Sequence, residues 1–356
     1  MKIGLLTSGG DCPGLNAVMR AFVKYIEANL PKAEIIGFLD GYTGLIEGNY
    51  RHVDASFFED LLFTGGTILG SIRQPFKSMN DEDEDGSTKL DKMTTNYKKL
   101  GLDCLITVGG AGTHKTAATL SAEGCNVIGL PKTIDNDIWG TDYSFGFDTA
   151  AEVAAECVRD MHATAYSHGR VMLVEVMGNK TGWIALNSAV AGGAHIALLP
   201  EFPYDEEVVL ATLAKRREQG ARYDIIVVAE GAMTKAESTL KRKEILSLRK
   251  AQGYNAVTDG LAKAIERRLG IEARTQTVGY LQRGACPNAH DRALCTMLGA
   301  YAGELVKVGK FGVTVALSCG KVTYNSLADI AGRTKFVTDD TPLYKAALQT
   351  GLSFGR

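Results

Sequence analysis

Short apolar runs alternate with longer helical patterns from one end of the chain to the other. Residues 3–6 read as a strand, Gly9-Gly10-Asp11-Cys12-Pro13-Gly14 as a turn, and 17–28 as a helix. Residues 35–39 and 104–108 read as further strands, the latter followed by Gly109-Gly110 and a helix through Leu120. Later strands are expected at 127–130, 171–176, 225–229 and 313–317. Strands joined through helices pair in parallel and bury both faces of the sheet, which predicts an α/β chain with mainly parallel sheets. A single core rarely grows past about 250–300 residues, so 356 residues predict two Rossmann-like lobes.

Composition removes several classes of function. With 45% hydrophobic and 22% charged residues the chain can fill a globular core. A net charge of −2 offers no basic field for nucleic acid, so an anionic substrate must be met by a few placed Arg and Lys. No run approaches the roughly 20 apolar residues of a membrane helix. The N-terminal segment enters a strand at once and does not read as a signal peptide. The seven Cys are odd in number and form no CxxC pair, so they read as reduced core residues of a cytoplasmic protein. The acidic stretch 80–86 is expected to be a solvated loop. Residues 235–250 are expected to form a surface helix with Leu240, Ile245 and Leu248 inward.

Five stretches carry chemistry. Thr7-Ser8-Gly9-Gly10-Asp11-Cys12-Pro13-Gly14-Leu15-Asn16 follows the first strand and opens a helix. Its glycines let backbone approach a ligand at the positive helix end, or simply make a tight turn. It is not a Walker loop. Val108-Gly109-Gly110-Ala111-Gly112-Thr113-His114-Lys115 repeats the pattern. There Thr113 either caps the helix or touches a phosphate. Two such loops suit a nucleotide cleft at strand carboxyl ends. In Pro131-Lys132-Thr133-Ile134-Asp135-Asn136-Asp137, extended chain would put both carboxylates on one side. One could take a proton and the other hold Mg²⁺ through water, with Lys132 facing moving phosphate charge. A polar turn is the competing reading. Glu175 lies inside the apolar run after Arg170 and must be paired or face a cavity. Arg274 and Arg283, in Arg274-Thr275-Gln276-Thr277-Val278-Gly279-Tyr280-Leu281-Gln282-Arg283-Gly284, could grip phosphates or lie on the surface. Glu230 could accept from a sugar hydroxyl.

Together, and in this order, these stretches resemble the phosphofructokinase family across nearly the whole chain. Gly65-Gly66-Thr67-Ile68-Leu69-Gly70-Ser71-Ile72-Arg73 matches a further family segment. The resemblance implies Mg²⁺-dependent transfer from ATP to the 1-hydroxyl of fructose 6-phosphate, a glycolytic step. Asp135 would be the general base, Asp137 would assist near the metal, and Arg73 would stabilise the phosphate in flight. Thr133, Ile134, Met177, Gly178, Asn179 and Glu230 would contact the sugar phosphate, with Arg283 beside Tyr280 holding the 6-phosphate. Arg170 and Arg274 would reach it from a neighbouring subunit, implying a homo-oligomer, usually a tetramer or else a dimer. Gly10, Arg73, Gly110, Gly112 and Thr113 would line the donor site. A phosphoryl-donor lobe would hold residues 1–146 and 282–335. A fructose 6-phosphate lobe would hold 147–281 and 336–356, the two meeting at Asp135.

The sequence departs from the family pattern at Ala111, where members usually carry a metal-binding Asp or Asn. A methyl group cannot ligate Mg²⁺, so a catalytically impaired sugar-phosphate binder is an alternative. The donor signature is mixed. Gly112 resembles the ATP branch, where a small residue leaves room for the nucleotide, whereas Lys132 resembles pyrophosphate users. The steric argument favours ATP, with pyrophosphate as the alternative.

Overall fold

The computed structural model describes residues 1–83 and 85–356. The part of the acidic-loop expectation that falls on Glu84 lies outside the described residues. Its neighbours Asp83 and Asp85 are exposed and hold Lys92 Nζ at 2.7 and 3.2 Å.

The strands are β1 (Lys2–Ser8), β2 (Glu34–Phe38), β3 (Tyr50–His52), β4 (Cys104–Gly109), β5 (Val127–Pro131) and β6 (Val171–Val176), then β7 (Ile196–Leu198), β8 (Asp224–Ala229), β9 (Ala273–Thr277), β10 (Val313–Ser318) and β11 (Lys321–Ser326). Among the described residues they make two sheets, ordered β11-β10-β5-β4-β1-β2-β3 and β7-β8-β6-β9. The second is parallel throughout. The first is parallel from β10 to β2, with an antiparallel strand at each edge. The chain divides into two compact units, Met1–Thr149 with Arg283–Lys335, and Ala150–Gln282 with Phe336–Arg356.

Every residue of β4, β5, β6 and β8 is buried. These continuous apolar runs are the ones a doubly covered parallel sheet needs. In the first unit, helix Ala289–Lys307 closes on helix Leu15–Asn29 through glycines four apart. A Cβ on Gly299 would lie 2.4 Å from the Val18 carbonyl, and one on Gly303 2.3 Å from the Tyr25 ring. No helix is long and apolar enough to cross a membrane among the described residues. All seven cysteines are free.

One expectation is corrected. The stretch 235–250 is not one helix: a short 3-10 turn covers Glu237–Thr239, and the α-helix is Arg242–Ala251. Leu240 precedes that helix and is 40% exposed, Leu248 is 43% exposed, and only Ile245 is buried. The inward pair is Ile245 and Arg249, one helical turn apart. Of the edge hairpin β10–β11, only the first strand was expected from the sequence. Its two-residue turn places Cys319 and Gly320 at φ 50 and 75, the mirror-image turn that matches strand twist.

Candidate active site

In the first unit, β1 lies between β2 and β4, so the order of connection reverses at the β1–β4 pair. Ligands of open parallel sheets bind outside the strand carboxyl ends at such a reversal. The register sets Ser8 beside Gly109 and Gly109 beside Pro131. The two glycine loops and the Lys132–Asp137 segment therefore leave the sheet side by side.

The loop after β1 is held by its neighbours. Lys132 is buried, and its Nζ donates to the Gly10 carbonyl. Burial lowers its pKa from the usual lysine value. Ser71 Oγ donates to the Gly9 carbonyl at 2.7 Å, which ties the segment carrying exposed Arg73 to the same loop. A Cβ on Gly10 would sit 2.6 Å from Arg283 Nη1, and that nitrogen is 3.8 Å from Asp11 Oδ1. Gly10 thus gives a guanidinium room against the backbone.

Helix Ala111–Ala122 begins after β4 with Gly110 as N-cap, no capping side chain and no acidic residue in its first turn. Its first turn offers no acid to its positive end, which suits an anion site. Thr113 is not the cap. Its hydroxyl donates to the Ser8 carbonyl at 3.3 Å, and its own carbonyl accepts from Tyr42 Oη at 3.0 Å. Around Gly112, a Cβ would meet nothing within 4 Å.

His114 was not singled out by sequence reasoning. It is 2% exposed, with Nδ1 2.9 Å from the Gly110 carbonyl and Nε2 2.8 Å from Thr314 Oγ1. A carbonyl only accepts, so Nδ1 carries the proton and Nε2 accepts from the Thr314 hydroxyl. Burial pushes the pKa from 6.5 down to about 4. The unfolded chain therefore takes up this proton first, and stability rises with pH between about 4 and 6.5. His114 should account for about 3 kcal/mol lost on acidification across that window. Denaturant unfolding of wild type and His114→Gln at pH 7 and 4.5 measures it. Equal pH slopes in the two proteins would refute the assignment.

The Lys132–Asp137 segment is a turn, which corrects the extended-chain reading. Asn136, between the two carboxylates, has φ 49, so simple alternation does not place Asp135 and Asp137 on one side. Thr133 Oγ1 accepts from Asp135 N–H at 3.1 Å, Asn136 Oδ1 accepts from Ser144 N–H at 3.0 Å, and Ser144 Oγ donates to the Thr133 carbonyl at 2.9 Å. Ile134 is buried beneath, and both aspartates keep partial exposure. The Asp137 carbonyl accepts from Lys335 N–H at 2.9 Å. Burial pulls the Lys335 side chain to about 8, a perturbed group the sequence gave no reason to notice. Among the described residues, no three His, Cys, Asp or Glu side chains gather as a metal cage. One or two carboxylates with substrate phosphates suffice for hydrated Mg²⁺, so Asp135 and Asp137 fit that ion and Ala111 does not.

In the second unit, β6 and β8 end together, Val176 opposite Ala229. Met177, Gly178 and Asn179 follow the first and Glu230 the second. Met177 N–H donates to Gln282 Oε1 at 2.9 Å, Glu230 N–H to the Val176 carbonyl at 2.9 Å, and Gly231 N–H to the Gly178 carbonyl at 3.0 Å. Gly178 has φ 132, and a Cβ on it would meet the Thr181 carbonyl at 2.7 Å. Glu175 accepts from Thr258 N–H and Oγ1–H at 3.4 and 3.3 Å and lines a cavity. Burial, with the charge of Glu230 adding to it, raises its pKa. Tyr280 is 79% exposed.

Arg170 and Arg274 lie at the other end of this sheet. Arg170 immediately precedes β6, and Arg274 pairs with Met172. Both bind Glu272, Arg170 Nε at 2.6 Å. Along β6, five residue steps separate the Arg274 register from Met177 and seven separate Arg170 from it, about 17 and 23 Å. Within this unit, one chain does not bring its own Arg170 and Arg274 to its own Glu230.

A phosphofructokinase family model matches residues 2–306. The ATP-dependent 6-phosphofructokinase of Spirochaeta thermophila is 46% identical over 99% of this chain and 97% of its own length. ATP-dependent 6-phosphofructokinase 3 of Bacteroides thetaiotaomicron is 41% identical over the full length of both. A pyrophosphate–fructose 6-phosphate 1-phosphotransferase of Streptomyces coelicolor is 42% identical, again over both full lengths. The solved phosphofructokinase of Saccharomyces cerevisiae superposes with a TM-score of 0.76 at 27% identity over 93% of this chain, which spans 45% of the yeast chain. With the paired glycine loops at the strand-order reversal and the aspartate turn beside them, these matches place the chain in the phosphofructokinase family.

Proposed function

We propose that the protein is an ATP-dependent 6-phosphofructokinase, transferring the γ-phosphoryl group of ATP to the 1-hydroxyl of fructose 6-phosphate. The observation that carries this is the adjacency of Ser8, Gly109 and Pro131. It sets a phosphate-accepting helix end next to a turn bearing two carboxylates. The proposal follows the names of the relatives above, two of which specify ATP.

In the proposed mechanism Asp135 accepts the proton of the 1-hydroxyl as that oxygen attacks the phosphorus in line, without a covalent enzyme intermediate. Gly10, Gly110, Gly112 and Thr113 form the backbone cradle of the donor, and Arg73 neutralises charge on the group in flight. Bound Mg²⁺, reached by Asp135 and Asp137, would shield the donor phosphates. Lys132 works from below, because its ammonium fixes the Gly10 carbonyl. Thr133, Ile134, Met177, Gly178, Asn179 and Glu230 hold the sugar, and Tyr280 and Arg283 its 6-phosphate. The position of Arg170 and Arg274 at the far strand ends supports their serving a neighbouring copy, and hence a homo-oligomer.

A coupled assay of fructose 1,6-bisphosphate formation tests the activity, and product from neither ATP nor pyrophosphate would overturn the reading. Pyrophosphate is the second reading, favoured by the Streptomyces relative and by Lys132. The open space at Gly112 supports ATP, since it leaves room beside the phosphate cradle. Gly112→Asp should lower kcat/KM for ATP by about 10²-fold or more, through charge repulsion and lost space, and affect pyrophosphate less. Equal losses with both donors would remove Gly112 from donor choice.

A further inference from the structure

In the second unit, helix Arg242–Ala251 carries two arginines toward the interior. Arg249 is fully engaged, its Nε and Nη2 each 2.7 Å from a carboxylate oxygen of Glu237. Arg242 is not. Its Nη2 donates to the Glu230 carbonyl at 3.0 Å, but its Nε and Nη1 are buried and no described residue accepts from them. Buried guanidinium donors without acceptors are costly, and a fold keeps such a group where something else supplies the oxygen.

That guanidinium lines a cavity of about 360 Å³, walled also by Glu175, Glu230, Lys250 and Tyr254. The volume suits a small metabolite. Lys250 is exposed and joins no ion pair among the described residues. Glu175 Oε2 is occupied by the Thr258 N–H and hydroxyl, so Arg242 and Lys250 are the donors left facing the cavity.

We propose that this cavity is an oxyanion site, in which Arg242 Nε and Nη1 grip the phosphate group of a small phosphorylated metabolite and Lys250 closes on it from the rim. Glu175 is then placed to bond a hydroxyl of the same molecule. Tyr280 and Arg283 already hold the one phosphate of fructose 6-phosphate in the proposed sugar site, so this phosphate comes from a separate phosphorylated effector. Glu230 also belongs to the proposed sugar site, but the cavity's anion chemistry stands without that reading.

The test is calorimetric titration of the full chain with inorganic phosphate, which needs no turnover and is independent of the activity. Wild type should show a phosphate site that Arg242→Gln weakens about tenfold or more and Lys250→Gln about threefold, both consistent with lost charged hydrogen bonds. A purely structural Arg242 would leave Lys250→Gln without effect, and Lys250 is too exposed for its loss to act through folding. Repeating the titration with saturating fructose 6-phosphate separates the sources. Persistence of the site supports a separate effector, and its loss overturns that assignment. Phosphate binding that is absent in wild type, or equal in wild type and both variants, overturns the proposal.

Discussion

Replacing Asp135 by Asn should lower kcat by about 10²–10⁴-fold, the range for losing a positioned general base, with KM for fructose 6-phosphate changed little. The amide keeps the shape of the carboxylate but cannot take the proton. The turn survives because its bonds run through the Asp135 N–H, Thr133, Asn136 and Ser144. A fall in kcat and kcat/KM together marks an interaction made only in the transition state. Steady-state kinetics with a thermal melt decide it. A loss below tenfold would move the proton to another acceptor.

Replacing Ala111 by Asp should raise kcat by about 10²-fold with ATP and Mg²⁺, the scale of restoring one charge contact to the transferring group. Ala111 is the first residue of helix Ala111–Ala122, whose first turn holds no acid. A carboxylate there complements the helix end by about 0.3–1 kcal/mol, so the variant should melt no lower than wild type. A kcat gain of about 10²-fold beside a melt that moves little would assign the gain to metal binding and not to folding. Equal rates in the two proteins would mean that the substrates and the remaining carboxylates already hold the metal well enough.

The parallel strands were legible because burial on both faces leaves continuous apolar runs, as in β4, β6 and β8. Edge strands were not. β9 is Ala-Arg-Thr-Gln-Thr with only Ala273 buried, a composition no periodicity rule distinguishes from a loop. The glycine loops and the aspartate segment were found from residue type. Their local geometry was not, since φ 49 at Asn136 turns a stretch that alternation treats as straight. Thr113 looked like a cap because its type caps helices, yet the neighbouring strand's Ser8 carbonyl claims its hydroxyl. His114, Lys335 and Arg242 find their hydrogen-bond partners away from their own segment: the Thr314 hydroxyl and the carbonyls of Asp142 and Glu230. Such partners are set by tertiary folding and leave no local signature.

Two glycines three positions apart face opposite evolutionary constraints. At Gly109 a Cβ would press within 2.1 Å of Thr113 Oγ1, so the fold itself forbids change. At Gly112 it would meet nothing, so a side chain there carries no packing cost. The donor change proposed for this position would therefore not have to pass through an unstable intermediate. Overall divergence then says little about donor: the Bacteroides and Streptomyces relatives stand 41% and 42% identical to this chain, yet one is named for ATP and the other for pyrophosphate.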